Sequence, residues 1–335
     1  MLFLLLFVSH VFAQDFLSWA EKIDDTPTGE EHYRSLGEMY RRIAQMVKEK
    51  PGVITPIVIG KTVQKRPIWG FVIQEPARDV RVKMLVFAGL HPLEWVSNEV
   101  AMETIEQLVA HPVSYVAVTV IPSVNVDRRL LTEKELRKGE KKYRRSNAKG
   151  VDLNRDYMVH RSSDAIWKHI IPQYYQTSPE AFSQPETRAL DALAAQEKFH
   201  SVVSLHCFGG YIYYPWAGSY TQAPDAKEHH RLASIMVRAQ RDPFPYKAMQ
   251  LSHWGFPFRA LGTELDHFYA KHNSYSFLIE LTRSGLWPPS SQNLSHPFRW
   301  YNPKSPKKDI RRGVDSILAL AHTIGMEHWS LDNSP

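Results

Sequence analysis

Apolar positions recur along this chain with two periods. From Tyr33 to Lys50, Leu36, Met39, Tyr40, Ile43 and Val47 fall at helical spacing, and Pro51-Gly52 stops the run. Val53 to Ile59 and Pro67 to Gln74 predict two strands joined by a polar, basic turn. Short apolar runs at Met84 to Leu90, Tyr115 to Ile121, His200 to His206 and Tyr275 to Leu281 predict strands buried within a sheet. Helices are predicted at Asn98 to Ala110, at Pro185 to Lys198 with proline in the first turn, at Lys227 to Gln240, and from Asp309 to Ile324. The stretches 122–184, 242–274 and 287–306 are rich in charge, proline or aromatic residues and predict irregular structure. Residues 14–32 are polar, with Asp24-Asp25-Thr26-Pro27 as a turn, and predict a loose leader.

Short strands alternate with helices, and neither a repeat nor a low-complexity linker interrupts them. The fold expected is therefore α/β, a single domain over residues 33–326 with a central mixed, mostly parallel twisted sheet flanked by helices, followed by a tail at 327–335. Ligand sites in such sheets lie just beyond the carboxyl ends of the strands.

The first thirteen residues, MLFLLLFVSHVFA, form an apolar run too short to span a bilayer. It ends in Val11-Phe12-Ala13, a small-residue pattern suited to signal peptidase. The alternative is a buried N-terminal strand or helix. The expectation is a cleaved signal peptide and a secreted or periplasmic protein without stable membrane insertion.

Composition narrows the class. With 43% hydrophobic, 12% aromatic and 23% charged residues the chain can bury a sizeable core, which excludes disorder. A net charge of +6 favours acidic partners such as carboxylates and is ordinary for a soluble enzyme. Cys207 is the only cysteine, so no intrachain disulfide can form.

Four segments carry chemistry. His91-Pro92-Leu93-Glu94 follows a buried strand and sets an imidazole and a carboxylate where both can reach one cation. Alone the pattern is weak, because a chain with 16 histidines contains such spacings by chance. His206 closes an apolar strand before Gly209-Gly210, where a capped edge histidine is the bland reading. Glu280 is a lone carboxylate within Tyr275 to Leu281 and needs a partner, either a structural arginine or a reacting water. The run Arg144 to Arg155, RRSNAKGVDLNR, clusters guanidinium groups and amides suited to binding a carboxylate.

In that order, the four segments resemble the M14 family of zinc metallocarboxypeptidases, the pancreatic carboxypeptidase fold. The family shows H-x-x-E after a strand, then R-x-N-x-x-G-V-D-L-N-R, a strand-ending histidine, and F-x-x-E-L. Here these are His91/Glu94, Arg145 to Arg155, His206, and Phe277 to Leu281. Pro185-Glu186-Thr187 and Asp266 to Tyr269 resemble its supporting motifs, and the likeness covers roughly residues 30 to 325.

The resemblance implies one Zn2+ held by His91, Glu94 and His206, with Asp152 orienting His91. It implies Glu280 as general base and Arg145 as the group that polarises the scissile carbonyl. Asn154 and Arg155 are implied to grip the substrate's terminal carboxylate. Departures concern the substrate pocket. Leu93 stands where a subsite arginine is frequent. Counting back from Glu280 without a gap, Phe258 falls at the mobile capping tyrosine, with Tyr246 and Tyr269 as alternatives, and Leu265 at the pocket base beside Glu264. An apolar base disfavours lysine and arginine side chains.

The activity expected is removal of C-terminal residues from peptides with a free carboxylate, by a monomer that binds no nucleic acid. A murein-peptide amidase or carboxypeptidase on the same fold is the enzymatic alternative. A catalytically dead peptide-binding protein is the non-enzymatic one, and it would predict loss of a ligand or of Glu280.

Overall fold

The computed structural model describes residues 13–76, 78–162, 177–255, 258–283 and 294–332. Its eight strands form one mixed, mostly parallel sheet, and alternate residues of the central strands feed two apolar layers. Strand β1 spans Ile54–Lys61, β2 Pro67–Ile73, β3 Val82–Ala88, β4 Val116–Ile121, β5 Ser201–His206, β6 Tyr211–Tyr214, β7 Lys247–Gln250 and β8 Tyr275–Glu280, in the spatial order β1-β2-β4-β3-β5-β8-β6-β7. Met84, Val86 and Ala88 enter the larger cluster, while Leu85 and Phe87 enter the smaller one on the other face. Burial on both faces explains why these strands read as unbroken apolar runs.

Helices cover both faces. On the larger side lie α1 (residues 13–22), α2 (Leu36–Glu49), α3 (Trp95–Ala110), α6 (Ala226–Ala239) and α9 (Lys307–Asp332). On the other side lie α5 (Pro185–Glu197) and α7 (Glu264–His272), while α4 (Val126–Arg137) and the short α8 (Pro297–Tyr301) complete the set. Ser35 opens α2 with a capping box, its hydroxyl accepting from Glu38 N while the Glu38 carboxylate accepts from Ser35 N.

Topology places the site. β3, β5 and β8 are adjacent and parallel, so their carboxyl ends share one edge. From β3 the chain moves to β4 on one side and later returns to β5 on the other. That reversal leaves a crevice beyond the ends of β3 and β5.

Several expectations change. Residues 14–32 are not a loose leader throughout. Within α1, Phe16 is fully buried, its ring 5.0 Å from that of Phe71 and 5.1 Å from Trp69. The stretch 122–184 contains α4, hidden from pattern reading because its buried positions include charged ones. Arg129 is 1% exposed, 3.5 Å above the Trp95 ring, and donates to Glu133, to Asn98 and to the Arg34 carbonyl. The stretch 242–274 contains β7 and α7, and the 327–335 tail continues α9 as far as Asp332. The proposed signal sequence, apart from Ala13, lies outside the described residues. Among the described residues no helix is long and apolar enough to cross a membrane.

Candidate metal centre and active site

The turn after β3 is shaped by Gly89, at φ +70°, where an added Cβ would meet Asn98 Nδ2 at 2.7 Å. The chain then runs through His91 to Glu94, the residue that precedes the first turn of α3. Asn302 fixes that helix start from far along the sequence, its side-chain oxygen accepting from Trp95 N and Val96 N. His206 ends β5 and is the register partner of Glu280 at the end of β8. Gly209 permits that approach, since a Cβ there would lie 3.0 Å from Glu280 Cβ.

Ligand atoms of His91, Glu94 and His206 all lie within 4.8 Å of one another, and all three residues are buried. His91 Nδ1 is 2.8 Å from Glu94 Oε1, His206 Nδ1 is 3.1 Å from Glu94 Oε2, and the two Nδ1 atoms are 3.2 Å apart. The far nitrogens are taken: His91 Nε2 lies 2.9 Å from Asp152 Oδ1, and His206 Nε2 lies 2.9 Å from Glu264 Oε1. If each Nε2 donates to its carboxylate, two bare Nδ1 lone pairs and the Glu94 oxygens face one another and need a cation between them. Tetrahedral zinc with bonds of about 2.0–2.1 Å sets its ligand atoms roughly 3.3 Å apart, and a His2Glu set with a fourth position left open is of the catalytic kind. The residues present therefore fit zinc.

Electrostatics agree with a buried cationic focus. Burial opposes ionisation of Glu94, but His91 and His206 outweigh it and hold its carboxyl below the usual range. Burial likewise opposes the charge on Asp152, and Arg145 and His91 outweigh it, with Arg145 Nε donating to Asp152 Oδ2 at 2.7 Å. In the protein without a cation, burial works against protonation of His206, yet Glu264 and Glu94 push it up to about 10.

Glu280 moves the other way. In the protein without a cation, burial and the nearby Glu94 push its carboxyl up to about 8, and among the described residues its Oε2 has no hydrogen-bond partner. The sign for stability follows from that direction. A carboxyl raised above the ordinary 4.5 contributes stability that is complete below that value and is lost as pH rises through about 8. In the metal-free protein Glu280 should therefore oppose stability increasingly between pH 5 and 8, and Glu280→Gln should remove that component, making its profile fall less steeply than that of wild type. Melting temperatures across this range check it, and parallel profiles for the two proteins would contradict it.

The structure places the other residues singled out by sequence as follows. Asn154 and Arg155 are buried in a short 3-10 turn opened by Asp152, which accepts from Asn154 N, and Asn154 Oδ1 accepts from Glu264 N at 3.2 Å. Leu265 is fully buried in a cluster with Tyr213, Ala217, Leu251, Ala260 and Leu278, against which Phe258 packs. Leu93, where a subsite arginine is frequent, is buried in the larger core cluster. Tyr246 is buried with its hydroxyl donating to the Asp309 carbonyl, and the Tyr269 hydroxyl donates to Asp225. Arg144 turns away from the site to pair with Glu135.

Sequence reasoning missed the contacts of Glu264 and Asn302. An acidic residue at a helix start reads as an ordinary partner of the helix dipole, which hides Glu264. A second trio, Asp191, His267 and His272, also brings its ligand atoms within 4.8 Å. Both Nε2 atoms lie 2.8 Å from Asp191 Oδ1, but among the described residues the buried Nδ1 of His267 has no partner. A metal-bound imidazole donates its other nitrogen, so this trio reads as two imidazoles donating to one carboxylate.

Comparison with known proteins agrees with the geometry. The sequence model of the zinc carboxypeptidase family, peptidase M14, matches residues 39–296. The chain is 23% identical to carboxypeptidase A4 of Mus musculus over 269 residues, 76% of this chain and 64% of that protein's length. It is 28% identical to zinc carboxypeptidase A 1 of Drosophila melanogaster over 312 residues, 86% of this chain and 69% of that protein. Among solved structures, bovine thrombin-activatable fibrinolysis inhibitor in complex with tick carboxypeptidase inhibitor has a TM-score of 0.73 at 21% identity, covering 89% of this chain and 99% of that one. Carboxypeptidase A of Helicoverpa armigera has a TM-score of 0.67 at 20% identity, covering 92% and 79%. These likenesses show the fold, and the family match spans His91 through Glu280. The chain belongs to the zinc carboxypeptidase family.

Proposed function

We propose that this protein is a zinc-dependent metallocarboxypeptidase that hydrolyses the C-terminal amide bond of peptides. The observation that carries the reading is the convergence of His91 Nδ1, Glu94 and His206 Nδ1 beyond the ends of β3 and β5, with Glu280 beside them at the end of β8. Zinc held there would lower the pKa of a bound water toward about 7 and withdraw electrons from the scissile carbonyl.

This chain's residues supply the rest. Glu280, at the end of β8 beside His206, accepts the proton of the attacking water and returns it to the leaving amine. Arg145, held by Asp152, presents positive charge to the oxyanion as it forms. Asn154 and Arg155 hold the substrate's terminal carboxylate, which restricts cleavage to the last residue. Asp152 fixes the ring of His91. The apolar cluster around Leu265 and Phe258 receives the C-terminal side chain and favours apolar residues. The apolar run at residues 1–13 exports the protein, and N-terminal sequencing of the mature chain checks its removal.

Metal removal tests the reading. Dialysis against a strong chelator should abolish hydrolysis of C-terminal amide bonds, and one equivalent of zinc should restore it. A rate unchanged by complete removal of metal would contradict the proposal.

A further inference from the structure

Glu264 is the first residue of α7 and is 1% exposed. Its Oε1 lies 2.9 Å from His206 Nε2 and accepts from Ser204 Oγ at 2.9 Å. Ser204 and His206 are two apart on β5, so both face the start of α7. The backbone of Glu264 is tied down separately, its N–H donating to Asn154 Oδ1 at 3.2 Å. Among the described residues its Oε2 is buried without a partner.

A buried carboxylate with only one satisfied oxygen is a costly feature that needs a reason. The geometry around the metal centre supplies one. His91 and His206 are held alike, each with Nδ1 toward Glu94 and each with Nε2 against a buried carboxylate, Asp152 for the first and Glu264 for the second. An outer carboxylate fixes which ring nitrogen carries the proton, sets the plane of the ring, and raises the basicity of the nitrogen that binds metal. Its negative charge also favours a divalent cation close by.

We infer that Glu264 is a positioning residue for His206, completing a second carboxylate–histidine pair at the metal centre. The inference rests on the zinc reading above. Two other roles are open to a carboxylate here, and they predict different results. A structural role would support α7 without touching metal affinity. A pocket role would pair Glu264, which adjoins Leu265, with a cationic C-terminal side chain of the substrate.

The test uses the full-length protein and the variants Glu264→Gln and Glu264→Ala. Zinc affinity is read by competition with a chelator of known affinity. The melting temperature of the metal-free form, the visible spectrum of the cobalt-substituted form, and the preference for C-terminal lysine over leucine are read beside it. Glu264→Ala should weaken zinc binding about 10- to 100-fold. Glu264→Gln, which keeps an acceptor oxygen but loses the charge, should fall between Ala and wild type. The cobalt spectrum should shift in both variants, a readout that a purely structural role of Glu264 would leave unmoved. Unchanged zinc affinity in both variants would overturn the inference, with a lowered metal-free melting temperature assigning the structural role and a lowered lysine-to-leucine rate ratio the pocket role. If wild type itself bound no zinc, the zinc reading would fall first, which separates the two failures.

Discussion

Glu280→Gln should lower kcat by about 10²- to 10⁴-fold while zinc content stays at that of wild type. Glutamine matches glutamate in shape and replaces a carboxylate whose Oε2 has no hydrogen-bond partner among the described residues, so little is broken by the exchange. The three candidate ligands are other side chains, His91, Glu94 and His206, whose mutual distances do not depend on Glu280. What the variant loses is the carboxylate at the end of β8, beside the candidate ligands, that can take a proton from water and give it back. Steady-state kinetics beside metal analysis check this. Turnover retained in a zinc-replete variant would remove Glu280 from the chemistry.

The central sheet was legible because its strands are buried on both faces. Met84 to Ala88 alternate between two apolar clusters, which leaves an unbroken run in sequence, and Val202 and Val203 divide between the same two. Helices with apolar stripes, such as Leu36–Glu49, were equally plain. Elements stabilised by buried charge were not. Helix α4 buries Arg129 and Glu133 as a pair, so its pattern reads as surface. Strands β6 and β7 are four residues each, too short to show a period.

The metal centre was legible only as an ordered set. His91, Glu94 and His206 are each unremarkable alone, and the motif from Arg145 to Arg155 between them gave them meaning. The fold then brings ligand atoms 112 and 115 residues apart to 3.1–3.2 Å. Glu264 was visible only as the neighbour of Leu265, because its contact with His206 spans 58 residues and no local pattern marks it.

Substrate recognition is the second place where a large effect is expected. Asn154 and Arg155 are both buried beside Asp152, and Arg155 helps hold the Asp152 carboxyl ionised. A guanidinium at such a site binds carboxylate with charge-assisted bonds. Removing one partner of a buried, hydrogen-bonded charge pair costs about 2–5 kcal/mol, roughly 30- to 5,000-fold in kcat/KM. A peptide with an amidated C-terminus presents no such charge. The decisive measurement is therefore mass spectrometry of products from one peptide supplied with a free and with an amidated C-terminus. The account predicts stepwise loss of single C-terminal residues from the free peptide and a rate at least about 30-fold lower for the amide. Equal rates on the two forms, or cleavage at internal bonds, would contradict it.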